Sequence, residues 1–194
     1  MEREIRAFVP AEIRTDGGEI KVSGYAAVFG EEANIGGMFR EVIAPGAFTD
    51  AIGRDNVPFL INHDGLPLAR TASGTLVLSQ DATGLRMDAV LDGGDPDVQR
   101  IVGKMKRGDL DKMSFGFLPD VQEWDDTGDI PLRTIRKASL FDVSIVTTPA
   151  YDGTSIGLRS LEAFRLETKT KNFNAAAMRH RMKMNLRLRS AENG

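Results

Sequence analysis

The chain has 194 residues, 41% of them hydrophobic, which is enough for one domain with a true core and a tail beside it. It contains no cysteine, so disulfides, a thiolate nucleophile and cysteine metal sites are excluded, and a reducing compartment fits. The net charge of −3 is unevenly spread: from Arg165 onward there are eight Lys/Arg and two Asp/Glu (+6), whereas residues 1–164 hold 17 basic and 26 acidic side chains (−9).

Taken in chain order, "MEREIRAF" is charged where a signal peptide would be apolar, and no apolar run approaches the length of a membrane span. A soluble, cytoplasmic protein is therefore expected. "IKVSGYAAVFG" (20–30) reads as a strand anchored by Val22 and Val28, with glycines at bends. "MFREVIAPGAFTDAIG" (38–53) reads as a short strand broken by Pro45 and Gly46, then a helix with Phe48 and Ile52 on one face. "VPFLINHD" (57–64) reads as a buried strand in which Phe59, Ile61 and His63 share a face.

"GTLVLSQDATGLRMDAVLD" (74–92) is the clearest hairpin, with turn chemistry in "DATG". "GGDPDVQRIVGKMKRGDL" (93–110) is the clearest helix: Asp95 caps it, Pro96 opens it, Gly108 ends it, and Val98, Ile101, Val102 and Met105 form its stripe. "DKMSFGFLPDVQEW" and "PLRTIRKASLFDVSIVTTPAY" read as strands around the turn-rich "DDTGDI", and a short helix is expected in "DGTSIGLRSLEAFRLE". Strands outnumber helices without regular βαβ alternation, which favours α+β, or a mainly β barrel with flanking helices, over a doubly wound sheet. No phosphate loop or dinucleotide fingerprint is present, and no cofactor is expected.

Three residues draw attention as chemistry. Ser114 shares a strand face with Gly116 while Met113, Phe115 and Phe117 take the other. It is either small polar filler or a nucleophile, and a serine nucleophile needs a base within about 3 Å. His63 is the one imidazole of the body, since His180 lies in the basic tail, and "NHD" alone is too poor a ligand set for zinc. Asp142 is a carboxylate in an apolar strand, a costly placement unless it is paired. Arg136 or Lys137 would serve as its partner in a purely structural role, and His63 Nδ1–H would serve in a Ser-His-Asp triad. The residues alone leave these alternatives open.

Several blocks in order resemble the prohead maturation proteases of tailed bacteriophages, which are related to the herpesvirus assemblins. They are "MEREIRAF", "GYAAVFG", "FREVIAPGAFTDAI", "LINHD", "KMSFGF" and "LFDVSIVTTPAYDGTSI", spanning about residues 1–160. The resemblance implies a closed or partly open, mainly antiparallel barrel wrapped by a few helices, with a protease domain at 1–160. Residues 161–194 would then be a basic helix or tail, flexible or partner-binding. It implies a serine endopeptidase working inside the assembling prohead in the bacterial host cytoplasm, cutting scaffold, the scaffold-like segment of the major capsid protein, or itself. It puts the family histidine on His63, the nucleophile on Ser114 and the acidic third member on Asp142. Assemblins use a second histidine there, which this body lacks. The loop after "TTPAYDG" is the expected source of oxyanion donors. Homodimers are plausible by the same resemblance, and no membrane or specific nucleic-acid partner is implied. The basic tail would recruit the enzyme to an acidic scaffold or be removed by self-cleavage. The rivals are a non-catalytic assembly factor that keeps the fold, and an esterase, against which the missing G-x-S-x-G elbow argues.

Overall fold

Alternation along the strands builds the body. The computed structural model describes residues 3–10, 12–16, 19–147 and 154–192. The strands are β1 (Glu4–Pro10), β2 (Glu12–Asp16), β3 (Glu19–Val28), β4 (Ala33–Ile35), β5 (Phe39–Ile43), β6 (Pro58–Ile61), β7 (Asp64–Arg70), β8 (Leu76–Gln80), β9 (Gly84–Leu91), β10 (Lys112–Asp125) and β11 (Leu132–Val146). The helices are α1 (Thr49–Arg54), α2 (Pro96–Arg107) and α3 (Thr154–Glu192).

One antiparallel sheet runs β2-β3-β9-β8. The other runs β1-β10-β11, and β11 then pairs in parallel with β5 along its first half and with β6 along its last. β4 extends the β5 branch and β7 the β6 branch, both antiparallel. One apolar cluster joins the sheets, with Val22, Leu85 and Met87 from the smaller and Phe115, Phe117, Val143 and Ile145 from the larger. Phe48 meets Phe115 edge-on at 5.6 Å.

The fold is α+β and strand-rich, and the closed barrel expected from the resemblance does not form among the described residues. The reason lies in β11. Its outer edge is divided between two parallel partners, so the sheet forks, and neither branch continues into the four-stranded sheet.

Local chemistry explains the elements that were read in advance. The Asp95 carboxylate accepts from Asp97 N–H at 2.7 Å, Pro96 opens α2, and Gly108 closes it at φ 77°. Asp81 Oδ1 accepts from Thr83 and Gly84 N–H in the β8–β9 turn. A Cβ on Gly84 would stand 2.0 Å from the Ala27 carbonyl oxygen, so only glycine lets β3 approach there. The short helix expected within residues 152–167 is instead the start of α3, which runs 39 residues. Beyond Gly157 that stretch has no glycine or proline and is rich in Ala, Leu, Met, Lys and Arg. By internal contacts the chain divides into one compact unit ending at Thr154 and a second from Ser155 onward.

β1 reverses the usual pattern by turning its charges inward. Glu4 and Arg6 are fully buried with Glu41 of β5 and Arg133 of β11. Arg6 Nε donates to Glu41 at 2.6 Å and its Nη2 to Glu4 at 2.7 Å, while Arg133 Nη1 donates to Glu4 at 2.7 Å and to Glu41 at 2.9 Å. Burial pulls the Arg6 guanidinium down, but Glu41 and Glu4 outweigh it and hold the group above its usual range. Two cations and two anions thus bond one another away from water and tie β1, β5 and β11 together. Arg133→Met should lower unfolding free energy by roughly 3–5 kcal/mol, because it leaves two buried carboxylates with Arg6 as their one cation; denaturant titration checks this.

Candidate active site

Ser114 and Gly116 lie on the face of β10 away from the aromatic core, and β11 sets what they meet. The ladder places Ser114 opposite Ser144 and Gly116 opposite Asp142. It then slips by one residue, pairing Phe117 with Leu140. Phe141 is the extra residue of this bulge. It is exposed, whereas strict alternation would put it in the core with Val143 and Ile145. The bulge keeps Asp142 on the Ser114 face and returns Leu140 to the core.

His63 reaches that face from a turn, not from the strand face on which alternation placed it. Ile61 pairs with Asp64, which leaves Asn62 and His63 as a two-residue hairpin loop with φ of 51° and 61°. Positive φ at both positions is the primed hairpin turn, which suits asparagine but costs a histidine about 1 kcal/mol or more. Asn62 Oδ1 accepts from Thr147 N–H at 3.0 Å, and Asn62 N–H donates to Ile145 O at 2.9 Å, so the turn is fastened to the end of β11. His63 N–H donates to Ser144 Oγ at 3.2 Å.

The three side chains predicted from the sequence come together. His63 Nε2 lies 2.7 Å from Ser114 Oγ, and His63 Nδ1 lies 2.5 Å from Asp142 Oδ1. Asp142 is 1% exposed, and the alternative partners for it are taken elsewhere: Arg136 pairs with Glu123 and Lys137 with Asp50. Ser114 is fully buried and also donates to Arg6 O at 2.7 Å. Its single proton therefore has two acceptors, and only the bond to His63 turns the hydroxyl into a nucleophile.

Two further residues belong to the site. Ser144 Oγ donates to Asp142 Oδ1 at 2.8 Å, holding the carboxylate toward the ring. Its position two residues from Asp142, on the same strand face, was the available signal. Arg3 Nη1 donates to Asp142 Oδ2 at 2.8 Å, and nothing local in the sequence pointed to it. The loop expected after "TTPAYDG" as the source of oxyanion donors is not found, because α3 begins at Thr154 directly after that block, whose residues 148–153 lie outside the described residues. Among the described residues no cluster of His, Cys, Asp and Glu could hold a metal, and no helix is long and apolar enough to cross a membrane.

A serine, a histidine and an aspartate in line on a forked sheet can be compared with known proteins. A family model for the caudovirus prohead serine protease matches residues 9–168. The chain belongs to that family. Among solved structures it is similar to the capsid assembly protease gp21 of bacteriophage T4, with a TM-score of 0.52 at 12% identity, covering 76% of this chain and 98% of that one. At that identity the likeness speaks for the fold. No curated protein matches the chain.

Gly116 explains the small residue beside the serine. A Cβ there would stand 2.5 Å from Asp142 Oδ2 and 2.9 Å from Arg3 Cδ. Both neighbours are side chains, so Gly116→Ala should fold and displace the carboxylate. The rate of Ser114 labelling by a fluorophosphonate should then fall about a hundredfold, with thermal unfolding little changed.

Proposed function

We propose that the chain is a serine endopeptidase of phage head maturation, with Ser114 as nucleophile, His63 as general base and acid, and Asp142 as the carboxylate that orients the ring. The observation that carries this reading is the unbroken line from Ser114 Oγ through both ring nitrogens to Asp142 Oδ1, at 2.7 Å and 2.5 Å. The carboxylate accepts Nδ1–H, which leaves the Nε2 lone pair facing the hydroxyl. As Oγ attacks a peptide carbonyl, its proton passes to Nε2, and Asp142 stabilises the imidazolium. Nε2 then protonates the leaving amine, and water, deprotonated by the same nitrogen, hydrolyses the acyl-enzyme. Attack also requires the Ser114 hydroxyl proton to point at Nε2 rather than at Arg6 O.

Family membership supports capsid or scaffold protein as the substrate and the prohead interior as the place of action. The chain itself is a further candidate substrate. Ser114→Ala should keep the fold and abolish cleavage of co-expressed capsid or scaffold protein. Mass spectrometry of new termini checks this, and unchanged termini in the variant would overturn the assignment.

The residues from Arg165 onward carry +6 on a helix with charged side chains all around it. That charge suits recruitment to an acidic scaffold. Deletion from Arg165 should spare peptide cleavage and lower the amount of protease packaged, as read by immunoblot of purified proheads. Equal packaging would count against recruitment.

A further inference from the structure

Arg3 precedes β1 and lies outside the segment covered by the family match, yet it reaches the centre of the site. The two oxygens of Asp142 are shared out: Oδ1 faces His63 Nδ1 and Ser144 Oγ, and Oδ2 faces Arg3 Nη1 at 2.8 Å. Arg3 Nη2 also points at His63 O, at 3.4 Å. The Asp142 side chain is 1% exposed and that of Arg3 37%, so the guanidinium neutralises a buried anion from the solvent side. The stem of Arg3 runs over Gly116, in a slot that any Cβ would fill.

We propose that Arg3 is a positioning residue of the His63–Asp142 pair, holding the carboxylate aimed at the ring by gripping its other oxygen. The inference rests on the peptidase reading above. With Oδ2 tied to Arg3 Nη1 and Oδ1 to Ser144 Oγ, the carboxylate is held from both ends with Oδ1 facing His63 Nδ1. Few other groups compete among the described residues. β10 and β11 present the hydroxyls of Ser114 and Ser144, and from β7 the exposed Asp64 carboxylate is bound to Gly65 N–H at 2.8 Å.

The test compares the parent chain with Arg3→Met, which keeps an unbranched stem without charge, and with Arg3→Lys. The first readout is the rate of Ser114 labelling by a fluorophosphonate. It should fall about three- to tenfold in Arg3→Met, and Arg3→Lys should restore most of the loss. The second readout needs no catalysis: proton NMR of the His63 Nδ1–H in chains that also carry His180→Gln. Its resonance, moved downfield by the bond to Asp142, should move upfield in Arg3→Met and return in Arg3→Lys. Coincident His63 resonances in the parent and Arg3→Met, or no rescue by Arg3→Lys, would overturn the role of Arg3. A parent chain that never labels at Ser114 while its His63 resonance still responds to Arg3 would overturn the peptidase reading alone.

Discussion

The site depends on the register of β10 between its two neighbours. With β11 on one side, Ser114 faces Ser144 and Gly116 faces Asp142; with β1 on the other, Ser114 faces Ala7 and Gly116 faces Ile5. A slip of one residue would exchange the two faces of a strand. Ser114 would then enter the aromatic core and Phe115 would enter the site. The bulge at Phe141 lets one strand satisfy two demands, since the apolar pattern continues on the core side while the carboxylate stays beside the imidazole.

That register is fixed by opposite means on the two faces of β1. Toward the core, Glu4 and Arg6 lock into the buried ionic cluster with Glu41 and Arg133. Buried charge of this kind adds little net stability, but it tolerates few alternative pairings, so it specifies where the strand must sit. Toward the site, the same placement delivers the Arg6 carbonyl to Ser114 and Arg3 to Asp142. The strained backbone at His63 is held in a similar way, by side-chain and backbone bonds from β11.

Much of this was legible in advance where local rules act alone. α2 carried its cap, its opening proline and its closing glycine in plain view, and the β8–β9 hairpin carried its turn. β7 was hidden because Gly65 and Pro67 argue against a strand, and it survives because it pairs on one side only. β1 was hidden because its inward residues are charged, so no apolar alternation marked it as a strand. Ser114, His63 and Asp142 could be named as chemically unusual, but their meeting depends on a left-handed turn and a bulge. Periodicity assumes that neither exists. Arg3 was out of reach, because its partner lies 139 residues away.

β1 carries two sets of ions with very different access to solvent. The inner cluster is sealed off, whereas the guanidinium of Arg3 stands partly in water. Mobile counterions crowd around exposed charge over about 8 Å at physiological ionic strength and scarcely reach buried pairs. Added salt would therefore be felt at the Arg3–Asp142 contact before it reached the ionic cluster that seats β1.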